Sequence, residues 1–213
     1  MFEFVSDYYI TFIEATIETL KVSFFALFIG LILGVFICLA KIGSIKILKY
    51  IATLYIEVLR NTPIIIQIMI IYFALPEVGI EFSPFVSSVI ALSINSSAYV
   101  AEIFRSGINS IDKGQVEASR SLGLNYKQTM QYVILPQALK NCLPSLGNEF
   151  ISLVKESSIV YLVGVSDIMF VANSVKNATY QTFGPYILAA LIYFVITTIL
   201  SILVRKIENN LNR

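Results

Sequence analysis

Apolar residues run along this 213-residue chain in five stretches, near 19–40, 52–75, 85–104, 138–163 and 186–204. Each is roughly 18 or more residues long, enough for a helix rising about 1.5 Å per residue to cross about 30 Å of hydrocarbon. The pattern predicts an all-α integral membrane protein, with five transmembrane helices forming one domain over 1–213. Ahead of the first run, MFEFVSDYYITFIEATIETLK carries Glu3, Asp7, Glu14 and Glu18 and lacks the basic start of a cleavable signal peptide. The spacing of Phe12, Ile13, Ile17 and Leu20 predicts an amphipathic lead-in helix over about 5–18, lying along the membrane surface. A polar stretch over 106–135 separates runs three and four. The stretch VGVSDIMFVANSVKNATYQTFGPY, between runs four and five, is too polar to span and too long for a turn, so it is expected to fold back over the outer mouth.

Composition agrees with a bilayer protein: 57% of residues are hydrophobic and 14% charged, with a mean hydropathy of +0.79. The two cysteines, Cys38 and Cys142, lie in different apolar runs and offer neither a disulfide framework nor paired metal-ligand spacing, so no metal site is expected. There is no histidine, which removes the commonest general base and zinc ligand and counts against an enzyme. The net charge of +1 makes no case for nucleic acid.

The placement of charge is more informative than its sum. Positive loops stay on the cytoplasmic side of a membrane. Lys41, Lys46 and Lys49 follow run one, Arg105, Lys113, Arg120 and Lys127 follow run three, and Arg205, Lys206 and Arg213 follow run five. The opposite loops hold Glu77, Glu81, Asp167 and Lys176. Five spans then put the N-terminus outside, the C-terminus inside and the 106–135 loop in the cytoplasm.

Within that loop, Glu117-Ala118-Ser119, then Leu122-Gly123, then Ile134-Leu135-Pro136 resembles the EAA loop of bacterial ABC importer permeases, with Ser119 where the pattern has alanine. Small Ala118 and Ser119 permit close approach, Gly123 can end a helix, and Pro136 can start the next. The stretches Tyr55–Pro63 with Gln67, and Ile94–Arg105, are similar to segments of the polar amino acid branch, although Asn61 stands where that branch usually has glycine. With Leu146–Phe150 and Lys155–Ser157, the similarity covers residues 17–207. The resemblance implies the type I importer permease (MetI-like) fold of five helices, working as a homodimer or heterodimer in the bacterial cell (inner) membrane. It implies a coupling helix built from Glu117, Ala118, Ser119, Leu122 and Gly123 that docks on an ABC ATPase subunit. It also implies an extracytoplasmic amino-acid-binding protein that delivers the solute. ATP and Mg would be bound by the partner ATPase, with no cofactor in this chain.

Ionisable groups within a span usually face a cavity or a partner. Asn95, Tyr99 and Glu102 share one helix face at i, i+4 and i+7, and Glu149, Ser152 and Glu156 share another at i, i+3 and i+7. Two such faces meeting at mid-depth make a solute site, to which backbone donors around Asn95 and Ser96 can add. Three carboxylates, Glu102, Glu149 and Glu156, stand against one lysine, Lys155, and this surplus favours a cationic solute. The same groups could instead satisfy one another, with Lys155 neutralising Glu102 or Glu149. Gly147 and Asn148 would let run four break and expose backbone groups.

No G-x-x-x-x-G-K-[ST] motif occurs, so if transport is ATP-driven the hydrolysis belongs to another chain, and this chain is expected not to be an enzyme. Asp7, Asp112 and Asp167 lie outside the spans, against an intramembrane aspartyl protease, and no segment repeats as gradient-driven transporters usually require. A channel is harder to exclude. The expected function is the permease subunit of an ABC importer for polar amino acids, leaning to arginine, lysine or histidine, with glutamine, glutamate or cystine as the alternative.

Overall fold

A computed structural model describes residues 4–211, so Glu3 and Arg213 lie outside the described residues. Nine α-helices and no strand are found among the described residues. Three helices are long and apolar enough to cross a membrane: α1 (Val5–Ile42), α4 (Pro84–Asn109) and α9 (Phe183–Leu211). Two bent pairs raise the number of spans to five if each pair is one span.

Residues 5–18 do not form a separate helix, because α1 runs unbroken for 38 residues. Nothing in that stretch breaks a helix, and its Phe12, Ala15 and Thr19 are buried in the same line as Val22, Ala26, Gly30, Gly34 and Cys38. At about 1.5 Å per residue, α1 is roughly 57 Å long and outlasts the hydrocarbon.

Run two is broken as well. α2 (Lys46–Asn61) and α3 (Ile64–Met69) are separated at Thr62-Pro63, where Thr62 is extended at φ −108° and ψ 136°. A residue before proline is pushed out of the helical region, which accounts for the break. The chain turns by 103° there and continues through a π turn (Ile70–Ala74) and a 3₁₀ turn (Leu75–Val78). α4 starts on Ser83, whose hydroxyl accepts from the Val86 amide, with Pro84 in the first turn.

After α4 come α5 (Lys113–Ser121), α6 (Tyr126–Thr129), a π turn (Met130–Ile134) and α7 (Leu135–Glu156). Run four does not break at Gly147 and Asn148 as expected. α7 passes straight through them, and Gly147 instead makes room for Val204 of α9, which would lie 2.5 Å from an added Cβ. The winding changes later, in a 3₁₀ segment (Ser157–Val163) closed by Gly164 at φ 89°. The polar stretch beyond it forms α8 (Ile168–Thr179), capped by the buried Asp167, which accepts from the Phe170 amide at 2.9 Å and the Met169 amide at 3.2 Å. α8 packs Ile168, Val171, Ala172 and Val175 against Phe12 and Ala15 of α1 and Ala189 of α9.

α4 is the centre of the bundle. Ser87, Ser88, Ala91, Ser93, Ser96, Ser97, Ala98 and Ala101 are all buried, an unusual share of small polar residues for a core. Hydrocarbon gives apolar side chains no reason to prefer each other over lipid, so membrane helices associate where small residues let backbones approach. Gly30 and Gly34 of α1, spaced G-x-x-x-G, meet that surface: a Cβ at Gly34 would lie 2.5 Å from Val100 Cγ1 and 3.0 Å from the Ser97 carbonyl oxygen. The large apolar residues point the other way, with Phe24, Phe28, Phe36, Phe194 and Ile199 all exposed.

Gly34→Val should therefore lower stability by about 1–3 kcal/mol through overpacking, measured as a loss of thermal stability in detergent. Val100→Ala combined with it should recover part of that loss, whereas equal loss in the single and double variants would contradict the close α1–α4 contact.

Candidate functional site

The Thr62-Pro63 break strips the last carbonyls of α2 of their helical donors. Side-chain amides replace them. Gln67 Nε2 donates to the Leu59 carbonyl at 3.0 Å, the Thr62 carbonyl at 3.2 Å and Thr62 Oγ1 at 2.8 Å. Asn95 Nδ2 donates to the Leu59 carbonyl and to Gln67 Oε1, each at 3.2 Å. Asn95 is buried, and its donors hold the broken helix rather than open space.

One and two turns further along the same α4 face stand Tyr99 and Glu102. The Arg60 guanidinium lies over the Tyr99 ring, 5.2 Å from its centroid. Glu102 is surrounded by cations from three helices. Lys41 Nζ reaches Oε1 at 2.7 Å, Arg105 Nη2 reaches Oε2 at 2.8 Å with Nε at 3.0 Å from Oε1, and Arg60 Nη1 lies 4.0 Å from Oε2. The alternative in which Lys155 neutralises Glu102 or Glu149 is not found among the described residues. Lys155 is exposed at the end of α7 and makes no ion pair among the described residues.

Glu149 differs from Glu102. Its Oε1 accepts from the buried Ser96 hydroxyl at 2.7 Å, and no cation pairs with it among the described residues. It lines a cavity of about 870 Å³ between α4, α7 and the end of α9, together with Arg60, Tyr99, Glu102 and Lys140. So α4 and α7 do meet around a polar space, through Tyr99, Glu102 and Glu149. Ser152 and Glu156, both half-buried, lie further along α7 and do not line it.

The lining also corrects the charge count. Arg60, Arg105 and Lys140 face Glu102, Glu149 and Glu208, so cations and carboxylates are equal in number and the acid surplus is absent. The sequence reading missed the α7 contribution, Gln137, Lys140, Asn141, Pro144 and Ser145. The signal was available: the polar positions Gln137, Lys140, Asn141 and Ser145 recur at i, i+3, i+4 and i+8 and continue to Glu149. Pro144 adds to it, because a proline within a helix leaves the carbonyl of residue i−4, here Lys140, without its amide donor.

At the far end of α4, Asp112 caps α5 by accepting from the Gly114 amide at 2.7 Å. Ser119 is buried and its hydroxyl donates to the Gln115 carbonyl at 2.6 Å, while Glu117 and Ala118 are exposed and Leu122 is 83% exposed. The helix ends in a Schellman motif, with Leu124 N–H donating to Ser119 O and Gly123 N–H to Arg120 O. Gly123 has φ 84° with open space around it, so its backbone conformation is what requires glycine. Two residues later, Asn125 and Gln128 form a reciprocal capping box that starts α6. The result is a short helix fixed at both ends that presents Glu117, Ala118 and Leu122 outward.

Residues 16–213 match the family described as binding-protein-dependent transport system inner membrane component. The chain belongs to that family. The permease is 44% identical to the arginine transport system permease protein ArtQ of Bacillus subtilis, over 93% of this chain and 91% of that one. It is 42% identical to a putative glutamine transport system permease protein GlnP of Rickettsia bellii, over 99% of both. Among solved structures, an amino acid ABC transporter crystallised with histidines superposes with a TM-score of 0.96 at 48% identity, covering 99% of this chain and 98% of that one. The inward-facing MetNI methionine ABC transporter shares the fold, with a TM-score of 0.70 at 22% identity over 92% and 95% of the two chains. The permease is thus an amino acid ABC importer subunit with the MetI-like fold.

Proposed function

We propose that the permease forms the membrane path for a cationic amino acid, working in a pair above two ATPase subunits that bind and hydrolyse Mg-ATP, with solute supplied by an extracytoplasmic binding protein. The observation that carries the cationic reading is Glu149: a half-buried carboxylate in the large cavity, held by one serine hydroxyl and paired with no cation among the described residues. Glu102 has Lys41 and Arg105 within ion-pair distance and is better suited to hold helices together than to bind solute. A second reading, a solute of no net charge such as glutamine, is favoured by the equal numbers of cations and carboxylates in the lining. The relatives named for arginine and for glutamine support both.

Binding measured on the permease–ATPase complex without its binding protein separates the two. A charge-assisted hydrogen bond contributes roughly 1.5–3 kcal/mol, so Glu149→Gln should weaken arginine binding by about ten- to a hundredfold and leave glutamine unchanged. Glu102→Gln should lower thermal stability without altering the preference. Parent protein that binds glutamine alone, with Glu149→Gln indifferent, would establish the second reading.

In the proposed orientation Lys46 and α5 face the cytoplasm, while Glu77 and α8 face outside. Cysteine placed at Asn177, with Cys38 and Cys142 changed to serine, should react with a membrane-impermeant maleimide in intact cells. Reaction at position 127 and none at 177 would reverse the orientation.

The α5 surface of Glu117, Ala118 and Leu122 is proposed to seat on the ATPase. Gly123→Pro removes the left-handed cap and the amide that bonds to Arg120, and Glu117→Lys reverses the exposed charge. Both should leave the protein inserted but abolish most solute-stimulated ATPase activity, and unchanged stimulation at normal expression would exclude α5 from coupling.

A further inference from the structure

We infer that one face of α2 is the contact between two copies of this chain. The inference deepens the reading of the permease as a paired subunit and rests on it. α2 carries three stripes. Ala52 and Ile56 are buried, with Tyr55 and Leu59 packed beside them against α1 and α4. Ile47, Ile51, Leu54 and Val58 recur at i, i+4, i+7 and i+11 as an exposed apolar stripe suited to lipid. Between these two run Lys46, Tyr50, Thr53 and Glu57, also at i, i+4, i+7 and i+11. Lys46, Tyr50 and Glu57 are exposed, Tyr50 by 71%, and Thr53 bonds only to the Lys49 carbonyl of its own helix. Neither Lys46 nor Glu57 makes an ion pair among the described residues.

Charged side chains in a broken span face a partner or water rather than lipid. The order of the stripe selects the partner. Turning the helix end for end exchanges Lys46 with Glu57 and Tyr50 with Thr53, which is the condition for a two-fold contact, where residue i meets j and j meets i. Antiparallel pairing would set Lys46 against Glu57 of the partner subunit, twice, at charged ends about 16 Å apart along the helix. A partner surface of one sign would meet like charge at one end. Two subunits inserted the same way are related by a two-fold axis along the membrane normal, so a helix meets its copy antiparallel only if it lies well off that normal. The 103° turn after α2 provides such a departure from the segment that follows.

The test uses the permease–ATPase complex with Cys38 and Cys142 changed to serine. Differently tagged chains carrying Tyr50→Cys and Thr53→Cys are co-expressed and treated with a short bis-maleimide; the expected product joins both tags, and Leu54→Cys on the apolar stripe yields none. Lys46→Glu and Glu57→Lys should each reduce the cross-linked fraction about tenfold, and the double variant should restore it. Light scattering reports the number of permease chains. Two copies present, with no mixed cross-link and no rescue in the double variant, would overturn the α2 contact and leave the paired reading intact. A single permease chain per complex would overturn the paired reading and the contact together, and a different permease chain in equal amount would overturn the self-contact alone.

Discussion

A carbonyl that leaves a helix inside a membrane has to find its donor within the protein, because hydrocarbon offers none. The Thr62-Pro63 break poses that requirement at the centre of the bundle, and two amides meet it. Leu59 O accepts from both Gln67 and Asn95, which are themselves bonded to each other. The arrangement ties the end of α2 to the start of α3 and to the middle of α4. Its consequence is positional: Arg60, one residue past Leu59, is held over Tyr99 and beside Glu102, and so becomes part of the cavity wall. The polar wall of the cavity is a product of how the chain satisfies its own backbone.

α4 succeeds as a hub because it uses different chemistry on different sides. Towards α1 it offers serines and alanines that accept Gly30 and Gly34 at backbone distance. Towards α2 and the cavity it offers Asn95, Tyr99 and Glu102, and Glu102 draws Lys41, Arg60 and Arg105 into one cluster. Removing Glu102 would leave Lys41, Arg60 and Arg105 facing one another as uncompensated like charges. The two π turns follow a related logic. Each ends two residues before a proline, Pro76 in one case and Pro136 in the other, and Leu75 and Leu135 donate to the carbonyls of Ile70 and Met130, five residues back. Rewinding the helix in this way takes up the register that a missing proline amide disturbs.

Each apolar run falls on one of the three long helices or one of the two bent helix pairs, although α1 begins 14 residues ahead of run one, and Gly123 was legible as a helix end because a left-handed cap has few alternatives. Three features were not legible, each for a physical reason. Run two reads as one apolar stretch because hydropathy averages over Thr62-Pro63, while the amides that make the break tolerable sit 5 and 33 residues beyond Thr62 in sequence, at Gln67 and Asn95. Gly147 resembles a helix breaker but is a packing glycine, a distinction that depends on Val204 of α9. The charge surplus failed because carboxylates were counted within spans while their partners Lys41, Arg60 and Arg105 stand at helix ends, where a long side chain reaches inward.

α5, proposed to seat on the ATPase, and the cavity are linked by the same two helices. α5 follows α4 after Asp112, and α6 leads through the π turn into α7, so one cavity wall ends just before α5 and the other is continuous with the helical segment that starts at Tyr126. Those walls are fastened at that end. Gly107 leaves no room for a side chain beneath Cys142 and the Ala138 carbonyl, and Asn141 donates to Ser110 Oγ at 3.0 Å. The caps at Asp112, Gly123 and Asn125 keep the connection short and well defined. A displacement of α5 therefore enters α4 directly and α7 through the π turn, the one place on that route where the helical hydrogen-bond register changes. Because Glu149 sits on α7 and Ser96 on α4, a relative shift of the two helices changes the carboxylate that the cavity presents, and the position of α5 bears on the site although it contributes no atom to it.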